Sequence, residues 1–477
     1  MITTIARREV VDTWREGRVR IGAGVLLALL LLSLAVGIQH WRTVQSAHDI
    51  AQAKDAEIWR AQGRVNPHSA AHFGRYVFKD AGPLAFVDEG INPYVGSAVL
   101  LEAHTQTPAR ARPAEDAAFV PVFGELTAAL VLQMLVPLLI VLVAFAAFSG
   151  ERENGTFRQV LSTGVRRRSL VLGKALGLTV ALTMVLLPLL VIGTAALALN
   201  QSDHGDGAAD VARLAWLGLA YLLYFGAWVG VTLAVSAAAR SSRQALVVLL
   251  GLWLVASLLV PRLAVDIADR VAPVPSLLAF KQAISEDMKK GISGHDPEDV
   301  RLEPIKQKLF KQYGVTRIQD LPINFDGVEL AEGERYGNEV LDRQYARLWS
   351  IYERQGTIQG FFATLSPLVA LRPLSMTLAG TDLTAHRQFT EAAEQHRRAF
   401  IKQLNDYHTA NGKFDDWSFT AGPDLWALAP AFSHEGSALL PALKSQAGHF
   451  AVLAVWFAGA WALALFAIRR ASTEALA

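Results

Sequence analysis

The sequence predicts an all-α membrane protein with six transmembrane helices, both termini on one side of the bilayer, and a largely helical domain outside it. Three observations predict this. Of the 477 residues, 52% are hydrophobic and only 18% are charged. The apolar residues are gathered into six blocks without Asp, Glu, Lys or Arg, each near the length of about 17–25 residues that a helix needs to cross a bilayer. Lys and Arg concentrate in the short segments that six crossings place together.

The blocks fall at 21–40, 126–148, 175–200, 214–239, 244–261 and 450–468. Residues 1–20 carry five arginines, among them Arg7, Arg8 and Arg15. The link 149–174 adds Arg152, Arg158, Arg166, Arg167, Arg168 and Lys174. Arg240 and Arg243 sit between the fourth and fifth blocks, and Arg469 and Arg470 open the tail 469–477. By the positive-inside rule these segments are cytoplasmic. The first block exceeds a signal-peptide core of about 7–15 residues and no small-x-small site follows, so it is expected to remain as an anchor.

Two extracytoplasmic regions follow, 41–125 and 262–449. Both are far longer than the structureless loops usual in compact proteins, so a folded body is expected. Leu341, Tyr345, Leu348 and Tyr352 recur with helical spacing. Phe389, Ala393, His396, Phe400, Leu404 and Tyr407 do the same after Asp382, which is placed to cap a helix. No alternation is long enough to announce a substantial sheet. There is no cysteine, so this body must hold together by packing alone.

No catalytic engine is visible. The Gly-Lys pairs, Gly173-Lys174-Ala175 and Gly412-Lys413-Phe414, lack the glycine spacing and hydroxyl of a phosphate-binding loop. His434-Glu435 stands alone, without a zinc-protease motif, and no nucleophile elbow is present. The chain is expected not to be an enzyme and to hold no cofactor.

The segment Glu151-Arg152-Glu153-Asn154-Gly155-Thr156-Phe157 is followed by Val160-Leu161-Ser162-Thr163-Gly164, the three arginines and Leu172-Gly173-Lys174. It resembles the link between the second and third helices of ABC-2-type transporter permeases. Ala6-Arg7-Arg8-Glu9 resembles the amphipathic helix that precedes the first span in that family. Outside the membrane, Asn66 to Gly74, Gly90 to Gly96, Glu102-Ala103-His104, Ser366-Pro367-Leu368 and Leu378 to Asp382 with His386 resemble one branch. That branch carries a domain of unknown function before its last span.

The resemblance implies a bacterial inner-membrane permease coupled to a cytoplasmic ABC ATPase subunit. It also implies a second permease chain, identical or paralogous, and no nucleic acid. The strip 149–174 would be the coupling helix, with Glu151, Glu153, Gly155, Thr156 and Arg158 as its ATPase-coupling residues. Carboxylates suit the positive end of a helix, and Arg166, Arg167 and Arg168 suit the lipid phosphate level of the inner leaflet. Substrate would cross the membrane. The alternatives are a mechanotransmission complex acting on an envelope partner, and a membrane-anchored metalloenzyme.

Within the spans, Pro137 and Pro188 interrupt helices two and three, and Gln133 lies one turn from Pro137. Gln133 and Pro137 are read either as an interhelical hydrogen-bonding site or as part of a pathway between permease subunits. Gly173-x-x-x-Gly177 allows a close helix approach. All twelve histidines fall outside the cytoplasmic segments. His68 and His72 share a helix face, and Glu102 and His104 are further potential ligands. A buried scaffold is the expectation adopted for this outer cluster, with no metal.

Overall fold

The structure is a computed structural model and describes residues 1–112, 126–199 and 207–476. Residues 113–125 of the first outer region, 200–206 after the third block and Ala477 of the tail lie outside the described residues. The all-α membrane class holds. Among the described residues, six helices are long and apolar enough to cross a membrane: Gly17–Ala61, Ala128–Glu153, Arg167–Leu199, Gly207–Ala238, Ser242–Val271 and Ala447–Ala471.

Helices two and four form the centre of the bundle, with Tyr224, Leu233, Val131 and Val141 fully buried. Helix three keeps Leu176, Val180, Met184, Leu187 and Val191 exposed, and helix five keeps Val247, Leu254, Leu258 and Val265 exposed. Apolar side chains on an outer surface are what a lipid solvent asks for. An N-terminal helix, Ile2–Arg15, lies against helix three. The small pair Gly173 and Gly177 makes that contact: a Cβ on Gly173 would sit 2.6 Å from Ile5 Cβ, and one on Gly177 2.5 Å from Glu9 Cβ.

Pro188 does not interrupt helix three, which runs unbroken over Arg167–Leu199; a π-helical turn instead precedes one proline in helix two and one in helix five. Val131–Leu135 precedes Pro137, and Val255–Leu259 precedes Pro261. A proline has no N–H to give, so a carbonyl on the preceding turn is released. Tyr224 Oη donates to Gln133 O at 2.8 Å, and Ser366 Oγ donates to Ala256 O at 2.5 Å. Ser366 also accepts the N–H of Leu368 and so caps the helix Pro367–Ala379. This helix packs into the same apolar core as the spans, through Leu368, Leu371, Leu374 and Leu378. Part of the segment between the last two spans thus packs directly against the spans.

The outer domain is built on two long helices, Phe325–Phe361 and Leu383–Asn411. Asp382 caps the second, its Oδ1 accepting from Ala385 N at 2.9 Å. The stripe Phe389, Ala393, Phe400 and Leu404 is buried. A small antiparallel sheet covers it, in the order β1 (Arg75–Phe78), β2 (Ala98–Glu102), β3 (Thr105–Gln106). The first membrane helix reaches into this body. Its Trp59 is buried against Phe400 and Trp426, at centroid distances of 5.0 and 5.4 Å.

The segment around 289–299 lies on the Phe325–Phe361 helix, where Gly333 admits it: a Cβ there would stand 2.7 Å from Gly294 Cα. Glu329, two per cent exposed, lies one helical turn away on the same helix. One carboxylate oxygen has no hydrogen-bond partner among the described residues, and burial pushes the pKa of the group from 4.5 up to about 7. The folded carboxyl thus binds its proton more tightly than the unfolded one. Its contribution is complete below pH 4.5 and is lost as the pH rises through about 7. The melting midpoint of the outer domain should therefore fall between pH 5 and 8, and Glu329→Gln, uncharged throughout, should flatten that fall. Parallel profiles for parent and variant would exclude this carboxyl as the cause.

Candidate functional site

The strip that leads from helix two to helix three folds as the last turn of helix two, Ser149–Glu153, and a short helix, Thr156–Ser162. Gly155 separates them at φ 72°, a left-handed conformation that costs a residue with a Cβ about 1–2 kcal/mol. Thr156 does not cap the short helix. Its hydroxyl donates back to the carbonyl of Glu151 at 3.2 Å, tying the two pieces together.

The charged residues of the strip clasp the neighbouring helix ends. Arg152 donates to the carbonyls of Ala237, at 2.8 Å, and Ala239, closing the C-terminal end of helix four. Glu153 accepts from Ser242 N at 3.1 Å and Ser242 Oγ at 2.6 Å, at the N-terminal end of helix five. A cation at one helix end and an anion at the other each complement the local helix dipole. Glu151 pairs with Lys174 at 2.9 Å, and Lys174 also pairs with Glu9 of the N-terminal helix at 3.1 Å. Glu151 and Glu153 thus both have partners within this chain. Arg158, Gln159, Ser162 and Arg166 are exposed, while Phe157 is buried.

Beneath the strip, Ser236 is fully buried, and its Oγ accepts the N–H groups of Phe148 and Ser149 at 3.0 and 3.2 Å. Ser236→Ala removes this buried acceptor from both donors. It should cost roughly 1–3 kcal/mol, read as a lower melting temperature in detergent, whereas Ser162→Ala at the exposed end should be neutral. Equal stability of Ser236→Ala and the parent would show that the strip does not depend on this hydroxyl.

Gln133 is buried and belongs to a polar network inside one chain. Its Nε2 donates to Tyr221 Oη at 3.2 Å, and its Oε1 accepts from Arg372 Nε at 3.3 Å. Tyr221 meets Ser375 at 3.3 Å, and Ser375 donates to the buried carboxylate of Asp88. Pro137 is buried beside Gln133. This network ties helices two and four to the Pro367–Ala379 helix.

A third group lies in the outer domain. His68 and His72 share one face of the helix Pro67–Phe73, which Asn66 caps through His68 N at 2.8 Å. His104 stands in the two-residue turn between β2 and β3 at φ 62°. His295 comes from the segment docked by Gly333. Their rings meet: His68 Nε2 lies 3.1 Å from His72 Nε2 and 3.2 Å from His295 Nε2, and one nitrogen from each of the four falls within 4.8 Å of the others. Glu102 is not among them, its carboxylate accepting from Thr107 Oγ1 at 2.8 Å. Burial and the neighbouring imidazoles hold His68 down to about 3 and lower His72, so both are neutral at pH 7.

Around this group stands a second layer. His104 Nδ1 meets Glu334 Oε1 at 2.9 Å, and Arg397, one per cent exposed, meets Glu334 Oε2 at 3.1 Å and Glu394 at 2.8 Å. Burial alone raises the pKa of Glu334, but the His104 hydrogen bond and the Arg397 charge hold it at about 2. Sequence reasoning found His68, His72 and His104 but missed His295, Glu334 and Arg397. None of these has a spacing relation to the first three; folding alone brings them together.

Residues 103–266 match the family model of the ABC-2 family transporter protein, and residues 277–435 match a domain of unknown function, DUF3526. No curated protein matches the chain. The first match contains the strip, helices two to four and most of helix five, and the second contains both long outer helices together with His295, Glu334 and Arg397. With six helices long and apolar enough to cross a membrane among the described residues, the chain is similar to an ABC-2-type transporter permease with an extra domain ahead of its last span.

Proposed function

We propose that this chain is the membrane subunit of an ATP-driven exporter-type complex in a bacterial inner membrane. A separate cytoplasmic ABC ATPase subunit hydrolyses ATP, and two permease chains stand side by side in the complex. The observation that carries this reading is the clasped strip within the ABC-2 domain. Through Arg152, Glu153 and Ser236 it is joined to helices four and five, and through Lys174 to helix three and the N-terminal helix. A push on such a strip reaches several membrane helices at once.

With Glu151 and Glu153 engaged internally, docking falls to the exposed face of Thr156–Ser162, centred on Arg158. Arg158→Glu should insert and melt like the parent, yet retain its ATPase subunit at least about tenfold more weakly. One decade corresponds to about 1.4 kcal/mol, well within what a like-charge contact costs. Undiminished co-purification of the ATPase with Arg158→Glu would remove this face from the interface.

Sidedness is open to a separate test because the chain has no cysteine. Ser162→Cys should react with an impermeant thiol reagent only after spheroplasts are opened, and Lys413→Cys should react while they are intact. The reverse pattern would invert the topology.

A second reading, mechanical transmission to an envelope partner without transport, is favoured by one feature. Gly17–Ala61 is a single helix of 45 residues whose far end is buried in the outer domain through Trp59. ATP-dependent flux in reconstituted vesicles separates the two readings, since only the exporter produces it.

A further inference from the structure

We propose that His68, His72, His104 and His295 are the ligands of one divalent transition-metal ion of the kind that prefers imidazole, with Zn(II) as its representative. This replaces the scaffold expectation for the outer histidines.

Hydrogen bonding alone does not satisfy the four rings. His104 Nδ1 faces a carboxylate oxygen of Glu334 at 2.9 Å, and His295 Nδ1 faces the carbonyl of Ser293 at 3.3 Å. Both oxygens only accept, so each Nδ1 carries the proton, and in the neutral ring that leaves Nε2 with the lone pair a metal requires. His104 Nε2 is buried with no hydrogen-bond partner. His68 Nε2 faces two neighbouring Nε2 atoms, at 3.1 and 3.2 Å. A ring nitrogen has one in-plane direction, filled by one proton or one lone pair, so it serves one of them at most. A cation at the centre accepts all four lone pairs at once.

The distances about His68 agree with a metal centre. A metal–imidazole distance of about 2.0–2.1 Å sets the edge of a tetrahedral ligand set at roughly 3.3–3.4 Å, and that of a square plane at roughly 2.9 Å. The two His68 edges, 3.1 and 3.2 Å, lie between these values, and the separations that reach up to 4.8 Å would contract onto the ion. Four imidazoles without a carboxylate suit Zn(II), Cu(II) or Ni(II) and exclude the oxygen-seeking Mg(II) and Ca(II). Glu334 and Ser293 supply the outer hydrogen bonds that hold metal-bound imidazoles in their tautomer, and Arg397 holds Glu334 in turn. His72 and His295 are exposed, which leaves a route for the ion from solvent. Such an ion would fasten the segment carrying His295 to the helix and hairpin carrying the other three.

The test uses the full chain purified in detergent, stripped with a chelator and equilibrated with Zn(II) alone. The parent should retain about one ion per chain, and Zn(II) should raise its melting temperature. His72→Ala/His295→Ala removes two exposed rings, so it should melt like the stripped parent and bind no stoichiometric zinc. His396→Ala, outside the group, should keep it. Glu334→Gln should weaken binding about 10- to 100-fold, the usual effect of losing an outer partner. X-ray absorption of the zinc-loaded parent gives a reading independent of any variant, with nitrogen neighbours near 2.0 Å expected. Zinc retained equally by the double variant, or an oxygen-only shell in the parent, would overturn the assignment.

Discussion

Inside an apolar membrane body, every helix end and every carbonyl released by a proline must find its hydrogen-bond partner within the protein. That constraint organises this structure. Arg152 and Glu153 meet it at the facing ends of helices four and five, and Ser236 meets it where the strip leaves the second span. Tyr224 and Ser366 meet it on the turns before Pro137 and Pro261. The partners come from other helices each time, so the bonds that satisfy one helix also fix its neighbour. Gln133 joins the same economy, its side chain and its carbonyl both spoken for by helix four.

Much of this architecture was legible in the sequence, and the legible parts are those that a solvent dictates. Lipid forbids charge over a whole crossing, so the six spans appear as uncharged blocks. Water and core divide the faces of an amphipathic helix, so Phe389, Ala393, Phe400 and Leu404 declare theirs, and Asp382 marks its start. Helix ends were less legible. The first membrane helix runs on to Ala61 through Asp49, Lys54 and Asp55, because beyond the bilayer nothing penalises charge. The helix Pro367–Ala379 looked like part of the outer domain because thirteen residues are too few to announce a crossing, yet its leucines pack with the spans. The sheet escaped notice for a similar reason. Strands of four, five and two residues offer too little alternation to be seen.

The sites were legible only in fragments. Residue type drew attention to Glu151 and Glu153, but their partners, Lys174 and Ser242, depend on how the helices are arranged. His68 and His72 announce themselves by being one turn apart. His295 lies 227 positions from His68, and Glu334 lies 230 positions from His104, and no local pattern reaches so far. The outer motifs that suggested a particular branch do meet in space: Thr381 Oγ1 donates to the carbonyl of Asp88, and Ile91 N to the carbonyl of Thr381.

The unbroken first membrane helix has a consequence in leverage. At 1.5 Å per residue, its 45 residues make a rod of roughly 68 Å. Tilting such a rod about its base by one degree carries the tip through roughly 1.2 Å, and five degrees carry it through roughly 6 Å. Trp59, near that tip, is locked between Phe400 and Trp426, so such a tilt is delivered to the outer core rather than lost in a hinge. A change of angle too small to disturb packing near Ala23 and Leu26 thus becomes, at the other end, a displacement of about one helical turn.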